Sequence, residues 1–292
     1  MSLYSEYKTS LKSYEVEEII DLIIFRPLSF LLVKLFYPTS ITPNQISLIS
    51  MIFGILGGVI YGFGTHEFLI SAAVFLFVSN VLDCADGQLA RLKKNGTKIG
   101  RIIDGAIDYV TGLAVFIGIG FALSNQFSNP LFGWVLAVTG GFARVIQNMY
   151  FDYYRNLYMD HVYGKGSNIN EDIYEFTKEK IRLDKTNGNY LEKALINVYI
   201  KYSVFQKKTT KHIRLYVTPD EYRKRNRLIL RLWSWLGSTT HLTVLVLFSF
   251  LNRVDLYLYL SLTFGLVSFL ILFAIQKNII NKISHIPNNF KN

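Results

Sequence analysis

The chain has 292 residues, 51% of them hydrophobic and 15% aromatic, with a formal charge of +10 and a mean hydropathy of +0.27. That apolar content excludes an ordinary soluble domain and marks an integral membrane protein; the excess of base then reads as loops facing anionic lipid, with no nucleic-acid partner. A single cysteine, Cys84, excludes an internal disulfide, and its place beside Asp83 in an apolar run predicts a packing residue.

The first eighteen residues are polar and lack the charged-then-apolar order of a secretory signal, so no cleaved targeting segment is expected. Residues 18–38 are apolar but interrupted by Asp21, Arg26, Pro27 and Lys34. Charges near the centre of a span are costly, so this stretch predicts an amphipathic helix in the membrane interface, with Arg26 and Lys34 reaching toward headgroups. Thr42-Pro43-Asn44-Gln45 is a helix start: N-cap threonine, proline at the first helical position and glutamine completing a capping box. A first span is expected from 43 to about 63, with Gly54, Gly58 and Gly62 at every fourth position forming a packing seam. After the turn at Thr65-His66-Glu67, a second span descends to Asp83.

A third span follows from about Ala106, a fourth covers 131–151, a fifth about 230–251 and a sixth 256–275. Between the fourth and fifth, residues 152–228 are basic and tyrosine-rich without a run long enough to cross. Leu191, Leu195, Val198 and Tyr202 have the spacing of an interfacial helix there, and Thr218-Pro219-Asp220-Glu221 reads as a second capping box. His241, with Thr239 and Thr240, is expected to pack and hydrogen-bond between helices. The chain thus divides into an N-terminal and interfacial part (1–41), four spans with the motif described next (42–151), the basic segment (152–228), and two spans with a tail (229–292). Lys and Arg concentrate in the motif loop, the 152–228 segment and both termini. The positive-inside rule then places those parts in the cytoplasm, and six spans, all helical, satisfy that parity.

The chemistry concentrates between Asp83 and Asp108, DCADGQLARLKKNGTKIGRIIDGAID. Asp83 and Asp86 share one helix face, Asp104 and Asp108 another. Four carboxylates on adjacent helix ends repel one another unless divalent cations neutralise them. An all-oxygen donor set favours Mg²⁺, Mn²⁺ or Ca²⁺ and disfavours zinc. Gly87 and Ala90 keep the neighbouring face small, and Arg91 offers a guanidinium suited to phosphate oxygens. Together these residues describe a diphosphate site, whose chemistry is in-line displacement at phosphorus between two metal ions.

Asp83-x-x-Asp86-Gly87-x-x-Ala90-Arg91 followed by Gly100-x-x-x-Asp104-x-x-x-Asp108 resembles the signature of the CDP-alcohol phosphotransferase (phosphatidyltransferase) family at every fixed position. The likeness extends to an interfacial helix before the first span, the TPN at Thr42–Asn44 and six spans. It implies that Asp83, Asp86, Asp104 and Asp108 hold two Mg²⁺ or Mn²⁺ ions, and that Asp108 also acts as general base. It implies further that Asp83, Gly87, Ala90, Arg91, Thr97 and Gly100 shape the CDP site. The implied partners are a CDP-linked lipid or head-group donor, an alcohol acceptor, the bilayer and a second copy of the chain, for which the glycine seam is either the interface or an internal contact. Asn44, Arg144 and Arg155 are candidates for the acceptor or headgroups. One departure stands out: where members using inositol phosphate or glycerol phosphate are expected to carry an Arg-Ala-Arg-like sequence, this chain has FDYYRNLYMD, keeping Arg155. Two other classes compete. A membrane prenyltransferase matches Asn80-x-x-Asp83-x-x-Asp86 but separates its acidic motifs widely; a cation transporter matches the intramembrane acids but not Arg91.

Overall fold

The computed structural model describes residues 3–96, 98–164, 169–185, 188, 193, 194, 196–201, 204 and 215–284, and every regular element among them is helical. Thr97 lies outside the described residues, as do Leu191, Leu195 and Tyr202 of the expected interfacial helix.

α1 (Leu3–Ser10) is followed by an irregular strap, a π-helical turn (Asp21–Phe25) and α2 (Arg26–Phe36). At 11 residues, roughly 16 Å, α2 is too short to cross a bilayer. Its two basic residues do not reach for headgroups, a correction to the sequence reading. Arg26 turns inward onto Glu17 at 2.8 Å, and Lys34 pairs with Glu6 at 2.6 Å. Glu17 of the strap and Glu6 of α1 supply these carboxylates, and no local pattern places either beside α2.

α3 (Pro43–Tyr61) starts as its sequence dictates. Thr42 accepts from the Gln45 amide while the Gln45 side chain accepts from the Thr42 amide, with Pro43 at the first position. α4 (His66–Lys93) has 28 residues, about 42 Å of helix, which exceeds the ~30 Å apolar core by about two turns. Its last turns carry the acidic motif. Lys94 in the left-handed conformation (φ 53°) ends it, and α5 (Lys98–Gln126) runs back. α3 packs between α4 and α5 through the glycine seam, which the structure assigns to the inside of the chain. A Cβ at Gly58 would lie 2.5 Å from the Ala114 carbonyl carbon and 2.7 Å from the Val115 amide nitrogen, both backbone atoms of α5. Gly58→Val is therefore expected to destabilise the chain by about 1–3 kcal/mol through overpacking, read as a lower unfolding midpoint in detergent. An unchanged midpoint would show that α3 and α5 separate freely.

α6 (Pro130–Tyr163) has 34 residues and continues past residue 151, where the basic segment was expected to begin. Its second half is held by an aromatic cluster in which Tyr154 and Tyr158 meet Tyr222 and Trp233 of α8 (Pro219–Trp233) and Leu272 of α11 (Leu266–Ser284). Between these, α7 (Ile169–Asp184) packs Phe176 and Leu183 on Ile102 near the start of α5. Thr218 caps α8, accepting from the Glu221 amide at 3.3 Å, but the Glu221 carboxylate pairs with Arg225 at 2.5 Å, so the predicted box forms by half. A 3-10 turn (Ser234–Leu236) and Gly237 then break the helix before α9 (Ser238–Phe250). The break is filled by Glu18, which accepts from the Thr239 and Thr240 amides at 3.2 and 3.0 Å. α10 (Val254–Leu260) passes through a π turn (Ser261–Gly265) into α11.

Among the described residues four helical stretches are long and apolar enough to cross a membrane: Pro43–Tyr61, His66–Lys93, Ile102–Gln126 and Val254–Ser284. Their outer faces are apolar and exposed, as at Leu56 and Val59 on α3, Val110 and Phe121 on α5 and Val267 and Leu270 on α11. Water penalises such surface and lipid does not. The protein is an integral membrane protein. The fourth and fifth spans expected from the sequence fall on α6 and on α8–α9, neither of which is among those four stretches; α9 has 13 residues and falls short of a crossing by itself.

Candidate active site

The end of α4 and the start of α5 bring the acids together. Carboxylate oxygens of Asp83, Asp86 and Asp104 all lie within 4.8 Å of one another. Asp83 and Asp86 are one turn apart on α4, and the tight Lys94–Gly96 turn folds α5 back so that Asp104 faces them. Asp108, one turn further along α5, is outside that trio but lines the same cavity. Three carboxylates at this spacing fit a divalent cation with oxygen ligands. Asp86 is 5% exposed and accepts a short hydrogen bond from the Ser47 hydroxyl of α3, an outer contact that fixes the orientation of a ligating carboxylate.

The cavity measures about 2390 Å³. Its polar end holds the four aspartates; from there it runs between α5 and α6 along Leu113, Phe116, Ile117 and Phe142 and reaches Leu242 of α9. Arginines stand along it. Arg91 lies over Gly87, where a Cβ would meet the guanidinium at 3.5 Å, an ordinary van der Waals contact. Arg91 Nε donates to the Ser10 carbonyl in a short hydrogen bond, while its Nη2 is buried without a partner among the described residues. Arg144 stacks on the Phe116 ring, 5.6 Å from its centroid, and lies 3.8 Å from a Cβ built at Gly112, one turn beyond Asp108. Arg155 pairs with Asp152 at 2.8 Å and leaves its Nε buried and unpartnered. Asn80 Nδ2 and Thr111 Oγ1 are buried in the cavity wall in the same condition. Buried donors and acceptors are normally satisfied, so this cluster of exceptions beside three carboxylates points to a polar ligand.

Of the sequence-derived candidates, Asp83, Asp86, Gly87, Arg91, Asp104, Asp108, Arg144 and Arg155 line the cavity. Ala90 packs instead beside the turn, 3.6 Å from a Cβ built at Gly96. Gly100 belongs to the first turn of α5, outside the lining residues. Asn44 is exposed on the first turn of α3 and also stands outside them. Cys84 is buried against Phe25 and Val81 as expected, and His241 bonds Gln147 at 2.9 Å and Tyr257 at 3.3 Å between helices.

Several lining residues escaped the sequence reading. Thr111 and Asn80 were within reach, since each stands three positions from a motif aspartate on the same face. Lys12, Glu17, Asp21 and Arg26 were not: they come from the strap and α2, and only the tertiary fold brings them to the cavity.

Residues 40–165 match the family model for CDP-alcohol phosphatidyltransferase. This stretch is a CDP-alcohol phosphatidyltransferase domain. A phosphatidylinositol phosphate synthase from Corynebacterium glutamicum is 33% identical over 108 residues, 37% of this chain and 47% of that protein. The chain thus spans about half the length of the curated relative it matches. The phosphatidyltransferase domain contains α3 to α6 and all four aspartates, whereas the strap, α2, α9, α10 and α11, which also line the cavity, lie outside the matched residues.

Proposed function

We propose that the protein is a divalent-metal-dependent CDP-alcohol phosphotransferase of phospholipid synthesis, moving a substituted phosphate from a CDP-linked donor to an alcohol with release of CMP. The observation that carries this reading is the convergence of Asp83, Asp86 and Asp104 within 4.8 Å in a cavity shared with Asp108 and Arg91. The three acids would hold Mg²⁺ or Mn²⁺, two ions when Asp108 joins them. A bound divalent ion supplies neutralisation of diphosphate charge and of charge developing at the attacked phosphorus.

The chain's own residues do the rest. Arg91 binds diphosphate oxygens with the guanidinium nitrogen that the fold leaves unpartnered, over the small surface of Gly87; Ala90, Thr97 and Gly100 complete the CDP pocket on the family's pattern. Asp108 accepts the proton of the acceptor hydroxyl. The freed oxygen bonds to the phosphorus distal to cytidine, the bond from that phosphorus to the CMP oxygen breaks, and CMP leaves with the electron pair. Leu113, Phe116 and Phe142 line the part of the cavity where the chain of a lipid substrate is sheltered, and Arg144, Arg155 and Asn44 are the acceptor or headgroup contacts. α6 and the α8–α9 unit are the fourth and fifth of six crossings, with α2 in the interface. Both termini and the site are cytoplasmic, as the distribution of Lys and Arg supports. A homodimer would meet along a face other than the Gly54–Gly58 seam, which α5 fills.

The test is a panel of CDP-linked donors, CDP-diacylglycerol and CDP-linked head groups, against polar and lipid alcohols, following CMP release from the purified chain. The relative's product, a phosphatidylinositol phosphate, puts a phosphorylated inositol first among the acceptors. Release of CMP with one pair is expected; protection against unfolding by isoprenoid diphosphate, with none from CDP and Mg²⁺ or Mn²⁺, overturns the reading.

A further inference from the structure

The wall of the cavity facing α4 and α6 is made by a segment outside the phosphatidyltransferase domain. Residues 11–20 form a strap that the rest of the chain holds from several sides. Glu15 accepts from the hydroxyls of Tyr158 and Tyr163 at 2.9 and 2.7 Å and from Arg223 at 3.1 Å. Arg231 donates to the carbonyls of Tyr14 and Glu17, and Glu18 caps α9. The strap turns sharply where the Lys12 amide donates to the Glu17 carboxylate at 3.0 Å, and that carboxylate in turn holds Arg26. Lys12 is therefore placed by a fixed backbone.

Its side chain faces the cavity that holds the aspartates. Arg91 reaches the strap at Ser10, two residues away, and the charge of Arg155, followed by burial, pushes the Lys12 ammonium down to about 8 against the opposing pull of the Glu17 and Asp152 carboxylates. No ion pair among the described residues takes up that ammonium. Three cations thus share one wall, two of them guanidinium groups with a buried, unpartnered nitrogen. Glu17 and Asp152 offset part of this charge, Asp152 by pairing with Arg155, but the Lys12 ammonium and the two open guanidinium nitrogens still face the cavity, and a phosphate accepts from all three.

We propose that Lys12 binds a phosphate group of a substrate together with Arg91 and Arg155, so that a residue of the N-terminal strap helps select which phosphorylated substrate the cavity takes. The proposal rests on the transferase reading for the identity of the substrate, but the anion subsite itself does not require turnover. Two sources carry the same chemistry: the diphosphate of a CDP-linked donor and the phosphate of a phosphorylated alcohol acceptor.

The experiment uses the full chain in detergent with three forms, wild type, Lys12→Gln and Lys12→Arg. Inorganic phosphate is titrated while the unfolding midpoint is followed. Wild type and Lys12→Arg are expected to be stabilised, and Lys12→Gln to need about tenfold or more phosphate for the same shift, the loss typical of one charge-assisted contact. In turnover, Lys12→Gln is expected to raise KM more than it lowers kcat. A rise confined to the CDP-linked donor puts the phosphate on the donor, and a rise confined to a phosphorylated alcohol puts it on the acceptor. A wild-type chain that is stabilised by phosphate in a Lys12-dependent way but releases no CMP overturns the transferase reading and upholds the subsite. Equal phosphate response in wild type and Lys12→Gln, or no response in wild type, overturns the subsite whatever the turnover.

Discussion

Asp108→Asn is expected to fold, insert and bind CDP with Mg²⁺ or Mn²⁺, yet to release CMP about 10²- to 10⁴-fold more slowly, the range of a lost general base. The asparagine keeps the shape of the side chain and loses its capacity to take a proton. What makes the experiment clean is that Asp108 stands one turn beyond the carboxylate trio, which contains Asp83, Asp86 and Asp104 without it. Protection against unfolding by CDP and the ion held by the trio should therefore survive in Asp108→Asn, reduced only by the share of the second ion that Asp108 would hold, while turnover does not. Turnover at the wild-type rate removes Asp108 from the role of base; loss of protection together with turnover moves it among the metal ligands only.

Chelation with EDTA is expected to stop turnover, and added Mg²⁺ or Mn²⁺ to restore it; in Asp86→Ala the restoration should fail by about 10²- to 10³-fold, the scale on which a preorganised stabiliser of developing charge acts. Asp86 is chosen because it is buried and belongs to the trio. A graded companion is Ser47→Ala, which removes the hydroxyl that donates to Asp86 and should weaken cation affinity by about 10- to 100-fold. Full activity of Asp86→Ala after chelation would remove the carboxylate trio from catalysis.

The reacting centre was legible in the sequence because its parts are local. Asp83, Asp86, Gly87 and Arg91 are fixed relative to one another by helical periodicity, and Asp104 and Asp108 by another helix only a short turn away. The capping box at Thr42 and the glycine seam were legible for the same reason, and the structure adds that the seam faces α5. Composition alone gave the membrane class. Legibility ended where side chains meet across the fold. Arg26 looked like a headgroup anchor because its partner Glu17 is drawn inward by contacts with Arg231 and Lys12 that no local pattern records. Glu221 looked like half of a capping box, but Arg225, one turn along, competes for the same carboxylate. Lys12 sits in a polar stretch with no periodicity, and its significance depends on α6 and α8 folding over it.

Glu18 closes the N-terminus of α9 through amides 222 residues further along the chain. During synthesis at roughly 5–20 residues per second, the acidic cluster is thus complete about 7–26 s before the segment that anchors its wall has been made. In that interval the nascent chain offers four aspartates with no strap fixed over them. Assembly of the cavity is a late event in the life of each molecule, and a chain released before α9 would carry the whole phosphatidyltransferase domain with the Lys12 strap lacking its anchor at Glu18.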